Sequence, residues 1–276
     1  MTHKTLTLEM DGELATLTLN RPEKRNAISH EMIEELFAAL DDLESGDARV
    51  VILTGAGQSF CAGMDLGALQ ALAAQTEKHK VLKGGAMKGG LPRASDANLS
   101  DSRRLARLFR RIYDFPKPLI AAVNGAAIAG GCGIATLCDF TLAAPEAKFG
   151  YTEVRIGFVP ALVSVFLVRQ IGEKRARDLL LSGRIFGAEE ALRLGLINEV
   201  VPREKLMARA REMAGELLAV IPTSLIYTKR LLREMFEKDL DRQLELALQE
   251  NARIRSTPDF REGLSAFLEK RKAVWR

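Results

Sequence analysis

Ala122-Val123-Asn124-Gly125-Ala126-Ala127-Ile128-Ala129-Gly130-Gly131-Cys132-Gly133 carries four glycines and no charge in twelve residues. It continues an apolar run, Leu119–Val123, that reads as a strand buried on both faces. A tight loop and the start of a small-residue helix follow. Glycine opens backbone dihedrals closed to other residues and lets a ligand approach the main chain. The first turn of a helix leaves N–H groups unpaired and carries a positive dipole end. The stretch can therefore present main-chain donors to an anionic oxygen, although a lone glycine-rich turn more often reports tight packing. The charge-free region extends from Pro118 to Cys138, almost a membrane-spanning length. Asn124 and the glycines fit strand, turn and packed helix better than one lipid-facing helix, so a span is rejected.

A second segment has the same form. Ser59-Phe60-Cys61-Ala62-Gly63-Met64-Asp65-Leu66 follows Val50-Val51-Ile52-Leu53, a buried-strand signal ending near Gly55. Two N–H groups from two such turns, converging on one oxygen, would stabilise an enolate formed from a thioester. Farther out, Leu6, Leu8, Met10 and Ala15, Leu17, Leu19 alternate around Asp11-Gly12, predicting a β-hairpin. Ser29 reads as the N-cap of a helix bearing Met32, Ile33, Leu36, Phe37, Leu40 and Leu43. Phe140–Ala143 is a further strand, and the alternation of strands with helices predicts an α/β fold.

Residues from about Ala71 to Ser102 change composition, with Gly84-Gly85, Gly89-Gly90 and several lysines. They read as a surface loop, either a lid or a tolerated insertion. Beyond Pro202 the pattern is helical: Met207, Ala210, Met213, Ala214 and Leu217, then Leu244, Leu246, Ala247 and Leu248. Those apolar faces would dock on the core or on another subunit.

The chain has 276 residues, 47% hydrophobic and 28% charged, which excludes disorder and allows one large domain with a helical appendage. A net charge of +4 suits an anionic, phosphorylated ligand, though such an excess commonly only solvates a surface. Cys61, Cys132 and Cys138 form no CxxC, and no signal peptide is evident, so a reduced, cytoplasmic protein is expected. His3, His30 and His79 stand apart from cysteines and paired carboxylates, so no metal site is expected.

Several motifs together resemble the crotonase (enoyl-CoA hydratase/isomerase) superfamily, in family order and over nearly the whole chain. They are Asn20–Ala27, Phe60–Leu66, Ala122–Gly125, Cys138-Asp139, Phe149-Gly150-Tyr151-Thr152-Glu153 and Arg261–Arg271. Within them, Gly150–Phe158 looks most like the methylglutaconyl-CoA hydratase-like branch. The resemblance implies a spiral of ββα units over residues 1–203 and a C-terminal helical trimerisation region over 204–276. A homotrimer, or a hexamer built as a dimer of trimers, would follow. It implies an acyl-CoA substrate, no cofactor beyond the CoA moiety, and oxyanion donors at the N–H groups of Met64 and Gly130. Glu153 matches a catalytic glutamate. Lys24, Arg25 and Ala27 would line the CoA path, and Ala62 and Asp65 the adenine-side loop and helix start. Phe267 and Lys270 match positions that hold the CoA end, often from a neighbouring subunit.

The departures narrow the chemistry. Hydratases of this kind usually carry a first glutamate three residues after the Gly130 position, where Gly133 stands here. The usual Gly-Gly-Thr-Gln is replaced by Ala161-Leu162-Val163-Ser164 after Pro160. Gly133 is expected to leave extra space in the pocket. Glu153 sits among Val154, Ile156, Phe158 and Val159, surroundings that raise a carboxyl pKa and suit proton shuttling near neutrality. Hydration or dehydration of a 2-enoyl-CoA is the leading reading, with an enoyl-CoA isomerase or another one-acid reaction as the alternative. Tyr151 is a weaker candidate for a pocket hydroxyl; Cys132 and Asp139 read as packing residues. A third reading, nucleic-acid binding, rests on Arg103, Arg104, Arg107, Arg110 and Arg111, but Leu105, Leu108, Phe109 and Ile112 make a solvated amphipathic face the plainer account.

Overall fold

Strand β1 (Leu6–Asp11) and strand β2 (Leu14–Leu19) pair antiparallel, Leu6 opposite Leu19 and Asp11 opposite Leu14, as the alternation around Asp11-Gly12 requires. The computed structural model describes residues 3–71, 95–235 and 237–274. Most of the expected surface loop, including Gly84-Gly85 and Gly89-Gly90, lies outside the described residues. Helix α1 (His30–Ser45) begins where Ser29 predicts, the Ser29 hydroxyl accepting from Met32 N at 3.1 Å.

Strand β3 (Val50–Gly55) turns into β4 (Ser59–Cys61). After α2 (Asp96–Asp114), β5 (Leu119–Val123) turns into β6 (Ala126–Ile128) and α3 (Gly130–Leu137). Next, β7 (Phe140–Ala143) turns into β8 (Lys148–Gly150), followed by α4 (Ala161–Ile171) and α5 (Glu173–Ser182). Then come β9 (Ile185–Gly187), α6 (Ala188–Leu194) and β10 (Glu199–Val200). One sheet runs β1-β2-β3-β5-β7-β10 and the other β4-β6-β8-β9. The pairs β3–β4, β5–β6 and β7–β8 thus each give one strand to either sheet, in keeping with the expected spiral of ββα units, whereas β1 and β2 both join the first sheet. The charge-free stretch resolves into β5, β6 and α3, and among the described residues no helix is long and apolar enough to cross a membrane.

The continuous apolar run of β3 has a simple cause. Val51 and Leu53 face the core between the sheets, while Val50 and Ile52 face outward under α7 (Leu206–Leu218). Leu206, Ala210 and Ala214 cover that outer face, and each fully buried aliphatic side chain contributes about 1.5–3 kcal/mol. Asn124 ties two units together, its Nδ2 donating to Gly55 O at 2.8 Å and Gly57 O at 3.0 Å. Gly131 is where α3 meets β4: a Cβ there would lie 2.3 Å from Cys61 O.

Helices α8 (Pro222–Glu234), α9 (Glu237–Ile254) and α10 (Pro258–Leu268) end the chain. Helix α9 lies on α2 and α4, while α10 folds back on residues 153–158, with the Phe260 and Phe158 rings 5.0 Å apart. Leu240, Leu244, Ala247 and Leu248 join the main core, whereas Leu246 is exposed. One sequence expectation fails here. Residues 96–102, read as loop, are the first turns of α2, with Ser95 as N-cap and Asn98, Asp101 and Ser102 buried. Their polarity serves contacts with α9 and the turn after it, such as Asn98 Nδ2 to Ala252 O at 3.3 Å, not exposure.

Candidate active site

Gly63 has φ +89°, a conformation that side chains with a Cβ rarely adopt. Its carbonyl accepts from Ile28 N at 2.8 Å, and Asp65 N donates to Ile28 O at 2.9 Å. Met64, held between these two bonds, keeps its own N–H without an acceptor among the described residues. A Cβ on Gly63 would stand 2.9 Å from Ile128 O and 3.6 Å from Gly130 N, so the two glycine turns lie against each other. At the second turn Ala129 takes φ 51°, ψ −122°, a strained position for a residue with a Cβ. Ala129 N donates to Gly150 O at 2.7 Å, and Gly133 N donates to Ala129 O at 3.1 Å. Gly130 is the first residue of α3, and its N–H also lacks an acceptor among the described residues.

Both turns open on a cavity of about 140 Å³. Glu153 lines it from a single 3-10 turn, residues 153–156. Its side chain is buried, and Oε2 has no hydrogen-bond partner. Burial pushes the carboxyl up to about 7, against a smaller opposing effect from its own backbone N–H. Two main-chain N–H groups without acceptors and a buried carboxyl raised toward neutrality therefore line one largely apolar space.

Of the residues expected at the site, Met64, Gly130, Glu153, Ala62 and Phe267 line this cavity. Lys24, Arg25 and Lys270 are exposed and Ala27 is buried, and none of the four lines the cavity. Asp65 N-caps the helix starting at residue 66, accepting from Gly67 N at 3.1 Å, and pairs with Arg21 at 3.1 Å. Asn26 anchors the 21–27 loop, its Nδ2 reaching Ala56 O at 2.9 Å and Ser59 O at 2.8 Å. Phe267 reaches the cavity of its own chain, because α10 folds back on residues 153–158.

A family model described as enoyl-CoA hydratase/isomerase matches residues 9–276. The chain belongs to that family. A Thermus thermophilus protein of the enoyl-CoA hydratase type is 46% identical over 261 residues, covering 94% of this chain and 96% of its own. The crotonyl-CoA hydratase of Syntrophomonas wolfei is 34% identical over 276 residues, 99% of this chain and 98% of that protein. The solved enoyl-CoA hydratase/isomerase of Xanthobacter autotrophicus superposes with a TM-score of 0.84 at 32% identity, covering 98% of both chains.

Against the enoyl-CoA hydratase/isomerase pattern, Gly133 is the main departure, and the structure corrects what it was expected to do. No gap is left. A Cβ on Gly133 would meet Val163 Cγ1 at 2.7 Å and Phe109 Cζ at 3.3 Å, so these apolar side chains already occupy the space. Tyr151 is buried behind the cavity against Cys132 and does not line it. Burial pushes the Cys132 thiol up to about 12, which removes it as a nucleophile near neutral pH. Asp139 accepts from Leu119 N at 2.8 Å and pairs with Lys229 at 2.6 Å, a packing role. On α2, Arg104 pairs with Glu34, Arg110 with Asp114 and Asp241, and Arg111 with Asp41 and Glu44, while Arg107 covers the Phe37 ring. Those four cations each have a partner within the fold.

Sequence reading missed Asn251, which is buried and lines the cavity. The available signal was its register: it continues the buried stripe Leu240, Leu244, Ala247, Leu248 of α9, a polar residue at a core position.

The titration of Glu153 has a stability consequence. Between about pH 4.5 and 7 the folded chain holds a proton that the unfolded chain has released, so stability falls as pH rises through that window. Glu153→Gln removes this dependence. The variant is expected to be more stable than wild type at about pH 8 by up to ~3 kcal/mol. Paired denaturant titrations check this, and equal stability at every pH would contradict the raised carboxyl.

Proposed function

We propose that the protein adds water reversibly to a 2-enoyl-CoA, with Glu153 as the sole proton carrier. The observation that carries this reading is the buried Glu153 carboxyl, its Oε2 without a hydrogen-bond partner, in the same cavity as the Met64 and Gly130 amides. The thioester oxygen would accept hydrogen bonds from both amides, which stabilise charge as it develops there. The Glu153 carboxylate would take a proton from water while the water oxygen bonds to C3, moving the double-bond electrons into an enolate. Protonated Glu153 would then return that proton to C2, completing a 3-hydroxyacyl-CoA. CoA would lie along the Lys24–Ala27 side, with Ala62 and Asp65 shaping the turn and Phe267 and Lys270 at the far rim.

The same geometry supports a second reading. Glu153 would carry a proton from C2 to C4 of a 3-enoyl-CoA, isomerising it without water. The hydratase names of the relatives favour the first. Crotonyl-CoA incubated with the protein is expected to gain the mass of one water and lose its enoyl-thioester absorbance. Isomerisation of a 3-enoyl-CoA with no water added to either ester would overturn the hydratase reading. Self-assembly as a trimer or hexamer would use α8 and its approach, where Ile221, Tyr227, Leu231 and Leu232 are exposed.

A further inference from the structure

Arg255 is buried beside the cavity, bonded to Asp101, which also bonds His30, and its guanidinium lies 5.5 Å over the Phe158 ring. Burial works to raise the Asp101 carboxyl, but Arg255 and His30 outweigh it and hold the group below its usual range. A guanidinium has donors only, so Asn251 must turn its oxygen toward Arg255. Asn251 Oδ1 accepts from Arg255 Nη2 at 3.0 Å and from Ser102 Oγ at 2.8 Å. That fixes the amide and sends Nδ2 the other way. Among the described residues Nδ2 has no acceptor, and Asn251, only 3% exposed, is a lining residue of the cavity. Two donors on its oxygen, one of them charged, polarise the amide and strengthen its N–H groups as donors.

The place of this donor follows from α2. Phe109 lies beside Gly130, Leu105 continues the cavity wall, and Ser102 meets Asn251. The seven steps of helix from Ser102 to Phe109 rise about 10 Å, which sets Asn251 well beyond the proposed oxyanion amides, along the acyl wall. A plain hydrocarbon tail there would strip water from Nδ2 and offer nothing in exchange.

We propose that Asn251 determines specificity by receiving an oxygen acceptor on the acyl chain, so that the preferred substrate is an oxygenated acyl-CoA. This rests on the acyl-CoA reading above. A site built around a buried donor discriminates strongly against a ligand lacking the matching oxygen.

Saturated esters test this without turnover. Glutaryl-CoA, 5-hydroxypentanoyl-CoA and pentanoyl-CoA are titrated calorimetrically into the wild-type protein and into Asn251→Leu. At least one oxygenated ester is expected to bind about tenfold tighter than pentanoyl-CoA, a single well-made hydrogen bond. A preference for glutaryl-CoA identifies a carboxylate, and one for 5-hydroxypentanoyl-CoA a hydroxyl. In Asn251→Leu that ratio is expected to fall to about one. Pentanoyl-CoA binding as tightly as both others in the wild type overturns the proposal, whether or not the variant folds; so does an unchanged ratio in the variant. Failure of all three to bind removes the acyl-CoA reading and this proposal together, whereas equal binding of all three removes this proposal alone.

Discussion

On the proposed mechanism Glu153→Gln is expected to lose about 10³ to 10⁴-fold in turnover of an enoyl-CoA while still binding a saturated acyl-CoA, because one carboxyl would perform both proton transfers. Glutamine preserves the size of the side chain and its burial among apolar neighbours, but it can neither accept nor return a proton. Position 133 offers no rescue, since Gly133 has no side chain and Val163 and Phe109 fill its surroundings. The pH profile shares this origin. With the carboxyl at about 7, kcat/KM for hydration rises with pH as the carboxylate forms, with a midpoint near 7. Residual turnover in the glutamine variant within tenfold of wild type would remove Glu153 from the reaction.

Gly63→Ala is the second large effect, with kcat lower by about 10²-fold or more. The added methyl meets φ +89° and three atoms of the facing turn: Ile128 O at 2.9 Å, Ala129 Cβ at 3.1 Å and Gly130 N at 3.6 Å. Backbone atoms cannot swing aside as a flexible side chain would, so the turns must separate, and the two amides could no longer share one oxygen as the proposed mechanism requires. Loss of a single oxyanion donor costs about 10²–10³ in kcat. Strain of about 1–3 kcal/mol should also lower thermal stability. Steady-state kinetics with a melting curve check both, and wild-type kcat would show that the close approach of these turns is immaterial.

The parts of the fold that were legible are those with a local cause. Alternation around Asp11-Gly12 marks β1 and β2, the Ser29 hydroxyl marks the start of α1, and burial on two faces makes β3 and β5 continuous apolar runs. The second sheet escaped notice because β4, β6, β8 and β9 have three residues each, fewer than two periods of alternation; their neighbours define them. At the site, both glycine turns and Glu153 were readable as motifs. Gly133 reads as empty space because a sequence shows which side chain is absent, not which neighbour takes its place. Asn251 was silent for a related reason: its meaning depends on Ser102 and Arg255, and Ser102 lies 149 positions away.

Under the proposed mechanism Met64 acts through its amide, so its codon could drift widely without touching the reactive group. A change from methionine to leucine, lysine or threonine there would reshape the wall yet leave the donor in place. Only proline deletes the hydrogen outright. Inherited variation at this position should therefore tune which molecules enter long before it silences the chemistry.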